Sequence, residues 1–375
     1  MKSVVSKSNP RVLILSTNSD EAGAPVHVHS VISSLMHRVD FIAVFGEDGP
    51  IAEKIRKLGI SVEIVPEMKS AINPTLDFAA FCSISEHIKK YKPNLIHAHS
   101  SKAGMLGRMI SFRYKLPCIY TVHGWGWRGL GLSKGILVFL IEKIFSIIPR
   151  TSLIYVSNSV EKEAIGRLFL PPKKGVVIHN GVSDLLTKEK QRSDCEPLKI
   201  IMPARVSSAK DHITLLKAFE KIKFPSQLLL CGAGTDSIEF INTANMIAPK
   251  RFRDIFFLGS RSDVPELLVG ADIFALISNF EALPISIIEA MSAAKAIIAS
   301  NVGGVTELID DGLNGLCVER NNYKDVLAAM NKFSDSSFRK NCGQKARNKY
   351  VLNFTLKTMA DKIFSRYIFL LNECQ

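Results

Sequence analysis

Short, nearly unbroken apolar runs alternate with longer amphipathic segments along the whole chain. In the first half the runs are Val12–Ser16, Phe41–Phe45, Val62–Val65, Leu95–His99, Cys118–Val122, Leu153–Ser157 and Val176–His179. Between them lie segments such as Thr75–Tyr91 and Lys102–Tyr114, with apolar residues at helical spacing. Strands that are apolar on both faces and joined by helices predict a parallel sheet covered on both sides. The pattern restarts with a run at Leu198 and continues through Leu228–Cys231, Ile255–Leu258, Ile273–Ile277 and Ala296–Ala299. The polar stretch Ser183–Pro197 separates the two series and reads as a linker. After Tyr323 the chain reads as helical to its end. The fold class is therefore α/β, with two doubly wound, Rossmann-like domains, 1–185 and 186–355, facing a central cleft.

A length of 375 residues accommodates two such domains. The seven cysteines are scattered, without a C-x-x-C pair, and read as buried free thiols of a reducing cytoplasm. The N-terminus lacks the shape of an export signal, and no window is apolar enough to span a bilayer. Charge is uneven: residues 1–185 hold 23 Lys and Arg against 14 Asp and Glu, out of 48 against 35 in all. A basic first half suits an anionic partner such as a membrane surface or a diphosphate lipid. Nucleic acid is disfavoured, because the positive residues are dispersed and no recognition motif accompanies them.

Ligands of open parallel sheets bind beyond the carboxyl ends of the strands, so the loops after the strands hold the candidate chemistry. The stretch Ser278–Gly315 is the most informative. Glu281 precedes a helix that starts at Pro284, and Glu289 lies on that helix. Free N–H groups at the helix start make an anion site between the two carboxylates. Carboxylates cannot themselves bind a phosphate. They can accept hydroxyls on either side of it, one from a sugar and one from a ribose, which together describe a nucleotide sugar.

The string from Glu281 and Glu289 through Ala296–Ala299 to Gly303-Gly304-Val305-Thr306-Glu307-Leu308-Ile309 resembles the C-terminal half of family 4 retaining glycosyltransferases of the GT-B fold. His97–Arg108 and the His123 loop extend the likeness to bacterial O-antigen and capsule enzymes. Among these it is nearest the undecaprenyl-diphosphate-sugar α-1,3-N-acetylgalactosaminyltransferases.

The resemblance implies a UDP-sugar donor held in the second domain by Arg205, Lys210, Ser260, Arg261, Glu281, Glu289 and the helix-start loop Ala282, Leu283, Pro284 and Ile285. Gly23, kept where the family carries a second glycine, would approach the donor diphosphate, while Ala22 replaces the first glycine. His123 would reach the transferred sugar, against the alternative of a ring satisfied by a backbone carbonyl. Catalysis would rest on His123, Glu281, Arg205 and Lys210, with no metal and no cofactor. The expected route is a front-face displacement in which the leaving phosphate takes the acceptor proton. The last segment, 356–375, would cross back onto the first domain.

Several loop residues stay open between roles. Ser100 and Lys102 would meet the acceptor or form a solvated helix start. Trp125 and Trp127 would stack on acceptor sugars. His97 and His99 point the same way on a strand, yet no third ligand stands near them in sequence, so a metal is not expected. Leu132–Ile148 reads either as a core helix or as one whose start, with Trp125, Trp127, Arg128, Leu130 and Leu132, dips into a bilayer interface. The expected partner is then an undecaprenyl-diphosphate-linked acceptor, met peripherally at the cytoplasmic face of the membrane. An epimerase or phosphorylase of the same fold, or a non-catalytic nucleotide-sugar-binding protein, is the alternative.

Overall fold

The computed structural model describes residues 9–21, 23–127, 131–185 and 196–374, the side chain of Leu132 excepted. The chain forms two compact units, Met1–His179 with Leu356–Gln375, and Asn180–Thr355. The units therefore change at His179, ahead of position 185. Residues 182–184 are tied to the second unit: Tyr350 donates to the Val182 carbonyl at 3.0 Å, and Arg347 pairs with Asp184. Most of the polar stretch read as a linker, 186–195, lies outside the described residues.

The first unit is a parallel sheet of β1 (Arg11–Ser16), β2 (Asp40–Phe45), β3 (Ser61–Ile64), β4 (Leu95–His99), β5 (Cys118–Val122), β6 (Thr151–Tyr155) and β7 (Gly175–Val177). Their order is β3-β2-β1-β4-β5-β6-β7. Alternate residues of a strand point to opposite faces, and both faces here are apolar. Val12 and Ile14 of β1 pack with Val28, Val31 and Ile32 of helix Gly23–Leu35. Leu13 and Leu15 face the other way, with Ile84 of helix Pro74–Tyr91 and Leu106 and Ile110 of helix Ser101–Tyr114. The final helix, Leu356–Glu373, joins the first of these cores through Met359, Ile363, Tyr367 and Leu370. It is also pinned by polar contacts, Arg38 with Asp361 and Tyr367 with His97.

The second unit is a parallel sheet of β8 (Leu198–Pro203), β9 (Ser226–Cys231), β10 (Ile255–Gly259), β11 (Ile273–Leu276), β12 (Ala296–Ser300) and β13 (Leu316–Val318), in the order β10-β9-β8-β11-β12-β13. In each sheet the order reverses at one place, between β1 and β4 and between β8 and β11. Connections diverge there, and the strand ends open into a crevice where ligands of doubly wound sheets bind.

The cysteines are less uniform than their sequence settings suggest. Cys118, Cys231 and Cys342 are buried, but Cys82 is exposed, on the outer face of a helix.

Candidate active site

In the second unit the loops leaving β8 and β11 are zipped together. Lys210 and Ser278 form an antiparallel bridge, the Asp211 N–H donates to the Ile277 carbonyl at 2.8 Å, and the Asn279 N–H to the Ala209 carbonyl at 2.8 Å. This brings the Lys210 ammonium onto the Glu281 carboxylate, which also accepts from Ser278 Oγ at 2.7 Å. Glu281 is thereby fixed in orientation while its remaining lone pairs stay available. Arg205, one turn of loop earlier, is exposed, and no carboxylate among the described residues pairs with it. Gly232 sits under this loop with φ +134°, where a Cβ would come within 2.7 Å of the Arg205 nitrogen. Only glycine allows the strand end and the Arg205 backbone to approach so closely.

The helix Ile285–Ser292 follows, with Pro284 at its cap and no side chain bonded to its first N–H groups. Asn180 fixes the preceding turn by donating to the Leu283 carbonyl at 3.0 Å. Ala282 is half-buried and Leu283 buried, so the loop offers backbone rather than side chains. Glu289 lies on the helix with its carboxyl pushed up to about 7 by desolvation. No side chain among the described residues is bonded to it. A carboxylate in that condition gains from a hydroxyl donor. Ser260 and Arg261 follow β10 and are exposed, with Arg261 held by Asp263 at 2.5 Å.

In the first unit, histidines gather at the ends of β1, β4 and β5. His99 Nδ1 lies 3.1 Å from His123 Nε2, and His27 packs on both, with ring centroids 5.4 and 4.9 Å away. Burial holds His97, His99 and His123 well below the usual imidazole range, so these rings are neutral at pH 7. His97 bonds Tyr367 at 2.6 Å and Thr121 at 2.7 Å. No third ligand stands near the β4 histidines in sequence, but the fold sets two further imidazoles beside His99. The fold delivers His27 from a helix and His123 from a loop, neither being close to His99 in sequence. Gly23 is exposed at the start of the helix that carries His27, and Ala22 lies outside the described residues.

Three acceptor expectations are corrected. Lys102 is not at a solvated mouth; it is buried and paired with Asp77. Trp125 and Trp127 are buried at 3% and 9% exposure and stack on each other at 4.6 Å. Their indole N–H groups donate to the Val160 carbonyl and to Glu163, so a polar handle is met inside the unit and neither ring is presented to a sugar. Ser100 remains half-exposed, capping its helix and accepting from Thr17, at φ +76°. That backbone region is costly for a residue with a Cβ and is often held at functional sites.

The helix Leu132–Ser146 is inverted relative to a core helix. Ile136, Leu137, Leu140, Ile144 and the following Ile147 are exposed, Ile144 by 62% and Ile147 by 77%. Its inward face carries Glu142 and Ser146 instead. Glu142 pairs with the fully buried Arg108 at 2.7 Å, and Arg108 lies over Tyr120 and Phe145. The core reading of this helix is thus corrected by a buried ion pair that takes the polar side inward.

Comparison with known proteins agrees with this geometry. A model described as "Glycosyltransferase Family 4" matches residues 22–184, and one described as "Glycosyl transferases group 1" matches 184–349. Curated relatives include the Escherichia coli UDP-Gal:alpha-D-GlcNAc-diphosphoundecaprenol alpha-1,3-galactosyltransferase, 27% identical and covering 88% of this chain and 89% of its own. The Campylobacter jejuni N,N'-diacetylbacillosaminyl-diphospho-undecaprenol alpha-1,3-N-acetylgalactosaminyltransferase is 25% identical, over 84% and 88%. Among solved structures, a glycosyltransferase from Rickettsia africae superposes with a TM-score of 0.82 at 23% identity, over 97% of this chain and 99% of that one. Anabaena Alr3699/HepE in complex with UDP-glucose gives 0.81 at 19%, over 95% and 99%. The two family models together run from 22 to 349, and the chain belongs to the family 4 glycosyltransferases, retaining hexosyltransferases of the GT-B fold.

Proposed function

We propose that this enzyme moves a hexose or N-acetylhexosamine from a UDP-sugar to a glycan carried on undecaprenyl diphosphate, in bacterial surface polysaccharide synthesis. The observation that carries the reading is the zipped pair of loops in the second unit, with Arg205 unpaired by carboxylate, Lys210 on Glu281, and a bare helix start leading to Glu289. A departing nucleoside diphosphate develops negative charge, and fixed cations and N–H dipoles stabilise it without a metal. Glu281 accepts hydroxyls of the transferred sugar while keeping Lys210 aimed, and Glu289 accepts the ribose. His123 is the first unit's candidate for a sugar hydroxyl. Displacement is front-face, with the leaving phosphate oxygen taking the acceptor proton as the new glycosidic bond forms. Relatives named for UDP-galactose and diphosphoundecaprenol substrates support both substrate classes.

A lipid-linked acceptor keeps its diphosphate at a membrane surface, and the outward apolar face of the Leu132–Ser146 helix suits docking there. Lys143 lies over the exposed Phe169 ring, adding an aromatic and a cation suited to an anionic lipid surface. The expected contribution of the tryptophans is withdrawn, since both are buried. Arg128 and Leu130 lie outside the described residues, as does the Leu132 side chain. No helix among the described residues is long and apolar enough to cross a membrane, and docking is peripheral, at the cytoplasmic face.

The test is a panel of UDP- and GDP-sugars, each incubated with an undecaprenyl-diphosphate-linked sugar and read by product mass. One UDP-sugar should extend the lipid-linked acceptor by one residue. Extension of only a soluble sugar, or isomerised donor without acceptor, would overturn the reading.

A further inference from the structure

We propose that His27, His99 and His123 form a binding site for a zinc-type divalent cation at the carboxyl ends of β1, β4 and β5. Each residue comes from a separate element: the helix after β1, the last position of β4, and the loop after β5. One ligating nitrogen from each lies within 4.8 Å of the other two. The pair His99 Nδ1 and His123 Nε2, at 3.1 Å, is close to the edge of a tetrahedron built on Zn–N bonds of about 2.0–2.1 Å.

The surroundings favour a cation over a packed core. His99 is fully buried, and the nitrogen it turns into the cluster, Nδ1, meets only another imidazole nitrogen among the described residues, His123 Nε2. His97 packs on His99 at 4.2 Å and is itself locked by Thr121 and Tyr367, which holds the His99 ring in place. Such outer contacts orient ligating imidazoles. His27 is buried, whereas His123 is half-buried, so a fourth coordination position opens on the His123 side. Three protein nitrogens with an open fourth position is the arrangement that leaves zinc accessible to water or an anion. On binding, one ring of the His99–His123 pair moves its proton to its other nitrogen, and each ring donates a lone pair to the ion. Neutral imidazole ligands leave the ion's charge uncompensated, so hydroxide or another anion takes the fourth position.

An occupied site commits the His123 imidazole to the metal, and zinc then inhibits transfer. That consequence rests on the role given to His123 above; the site itself does not.

Cobalt(II) is the probe, titrated into the full chain with its thiols kept reduced. One equivalent should give the intense visible bands of a tetrahedral ion with nitrogen ligands, bleached by added zinc. His27→Gln and His99→Gln should each abolish the bands. X-ray absorption of the zinc-loaded wild type needs no variant and should show several imidazole nitrogens and no sulfur. A wild-type cobalt spectrum that matches His27→Gln, or a sulfur shell, overturns the site. With binding established, zinc should inhibit the wild type at least tenfold and spare His27→Gln. Full activity of the zinc-loaded wild type would overturn the role of His123 and leave the site standing.

Discussion

Gly303 lies directly against Glu281: a Cβ at Gly303 would fall 1.9 Å from the Glu281 carbonyl oxygen. Gly303 also has φ +52°, so both space and backbone conformation exclude a side chain there. The glycine of the Gly303-Gly304 string is thus the floor beneath the loop that holds Glu281 on Lys210. Gly303→Ala is expected to displace that loop, lowering stability by about 1–3 kcal/mol and turnover by at least tenfold. Denaturant unfolding and steady-state kinetics check this, and wild-type turnover in the variant would refute the floor argument.

The two glutamates are expected to fail differently. Glu289 has a carboxyl raised from 4.5 to about 7 by burial. Its contribution to stability is therefore full below pH 4.5 and lost as pH rises through about 7. A ribose hydroxyl donating to it favours the ionised form, so UDP should bind more tightly as pH rises through that range. Glu289→Gln should remove this pH dependence and weaken UDP by roughly 1.5–3 kcal/mol. Glu281→Gln should leave UDP affinity nearly intact and lower turnover, its proposed partner being the sugar. Calorimetric UDP titrations from pH 6 to 8, both variants beside wild type, decide the matter; equal losses of affinity would overturn the assignment.

Arg205→Ala and Lys210→Ala should each cut turnover by roughly a hundredfold or more, the usual effect of removing a preorganised electrostatic group. Their stabilities should diverge. Arg205 is exposed, and its loss should leave the melting temperature unchanged. Lys210→Ala strands Glu281, whose side chain is only 10% exposed, and should melt lower. EDTA should leave activity intact. Activity abolished by EDTA and restored by magnesium or manganese would contradict metal-free stabilisation of the diphosphate.

Arg108 and Glu142 form an ion pair at 1% and 3% side-chain exposure, and breaking it from either side should be costly. Arg108→Met and Glu142→Leu should each destabilise by about 3–5 kcal/mol, because each leaves a buried charge alone. The double variant should recover most of that loss. Additive losses in the double-mutant cycle would mean that the two side chains act independently.

How much the sequence reveals depends on whether the physics involved is local. The alternating apolar runs predict twelve of the strands, because a strand buried on both faces needs no other context; β13 (Leu316–Val318) is a thirteenth that they do not mark. The loops carrying Arg205, Lys210 and Glu281 are legible from the rule that sites follow strand ends, but the Lys210–Glu281 pair is a tertiary fact, with partners far apart in the chain. The tryptophans mislead because a glycine-bearing loop suggests exposure, while Val160 and Glu163 supply buried acceptors from a later helix. The histidine cluster is invisible for the same reason. The Leu132–Ser146 helix misleads most directly: amphipathicity gives two faces, but not which one turns inward, and Arg108 decides that from another helix.

That inversion yields the last prediction. An apolar helix face turned outward is destabilising in water unless something covers it, and here its partner is taken to be a bilayer. At helical spacing Ile136, Leu137, Leu140, Ile144 and Ile147 form one exposed stripe, with Lys143 alongside. Hydrocarbon insertion of that stripe and attraction of the basic first half to anionic lipid should act together, so binding should weaken with salt without vanishing. The purified protein should float with anionic vesicles at low salt. Ile144→Ser with Ile147→Ser should reduce flotation at least tenfold while leaving the melting temperature intact, since both side chains are exposed. Trp127→Phe should not change flotation, because Trp127 is buried. The same Ile144→Ser, Ile147→Ser protein should lose activity on a vesicle-borne acceptor but keep it on a short-chain, detergent-free analogue. Wild-type protein left at the bottom of the gradient at low salt would sink the docking idea and favour a soluble acceptor.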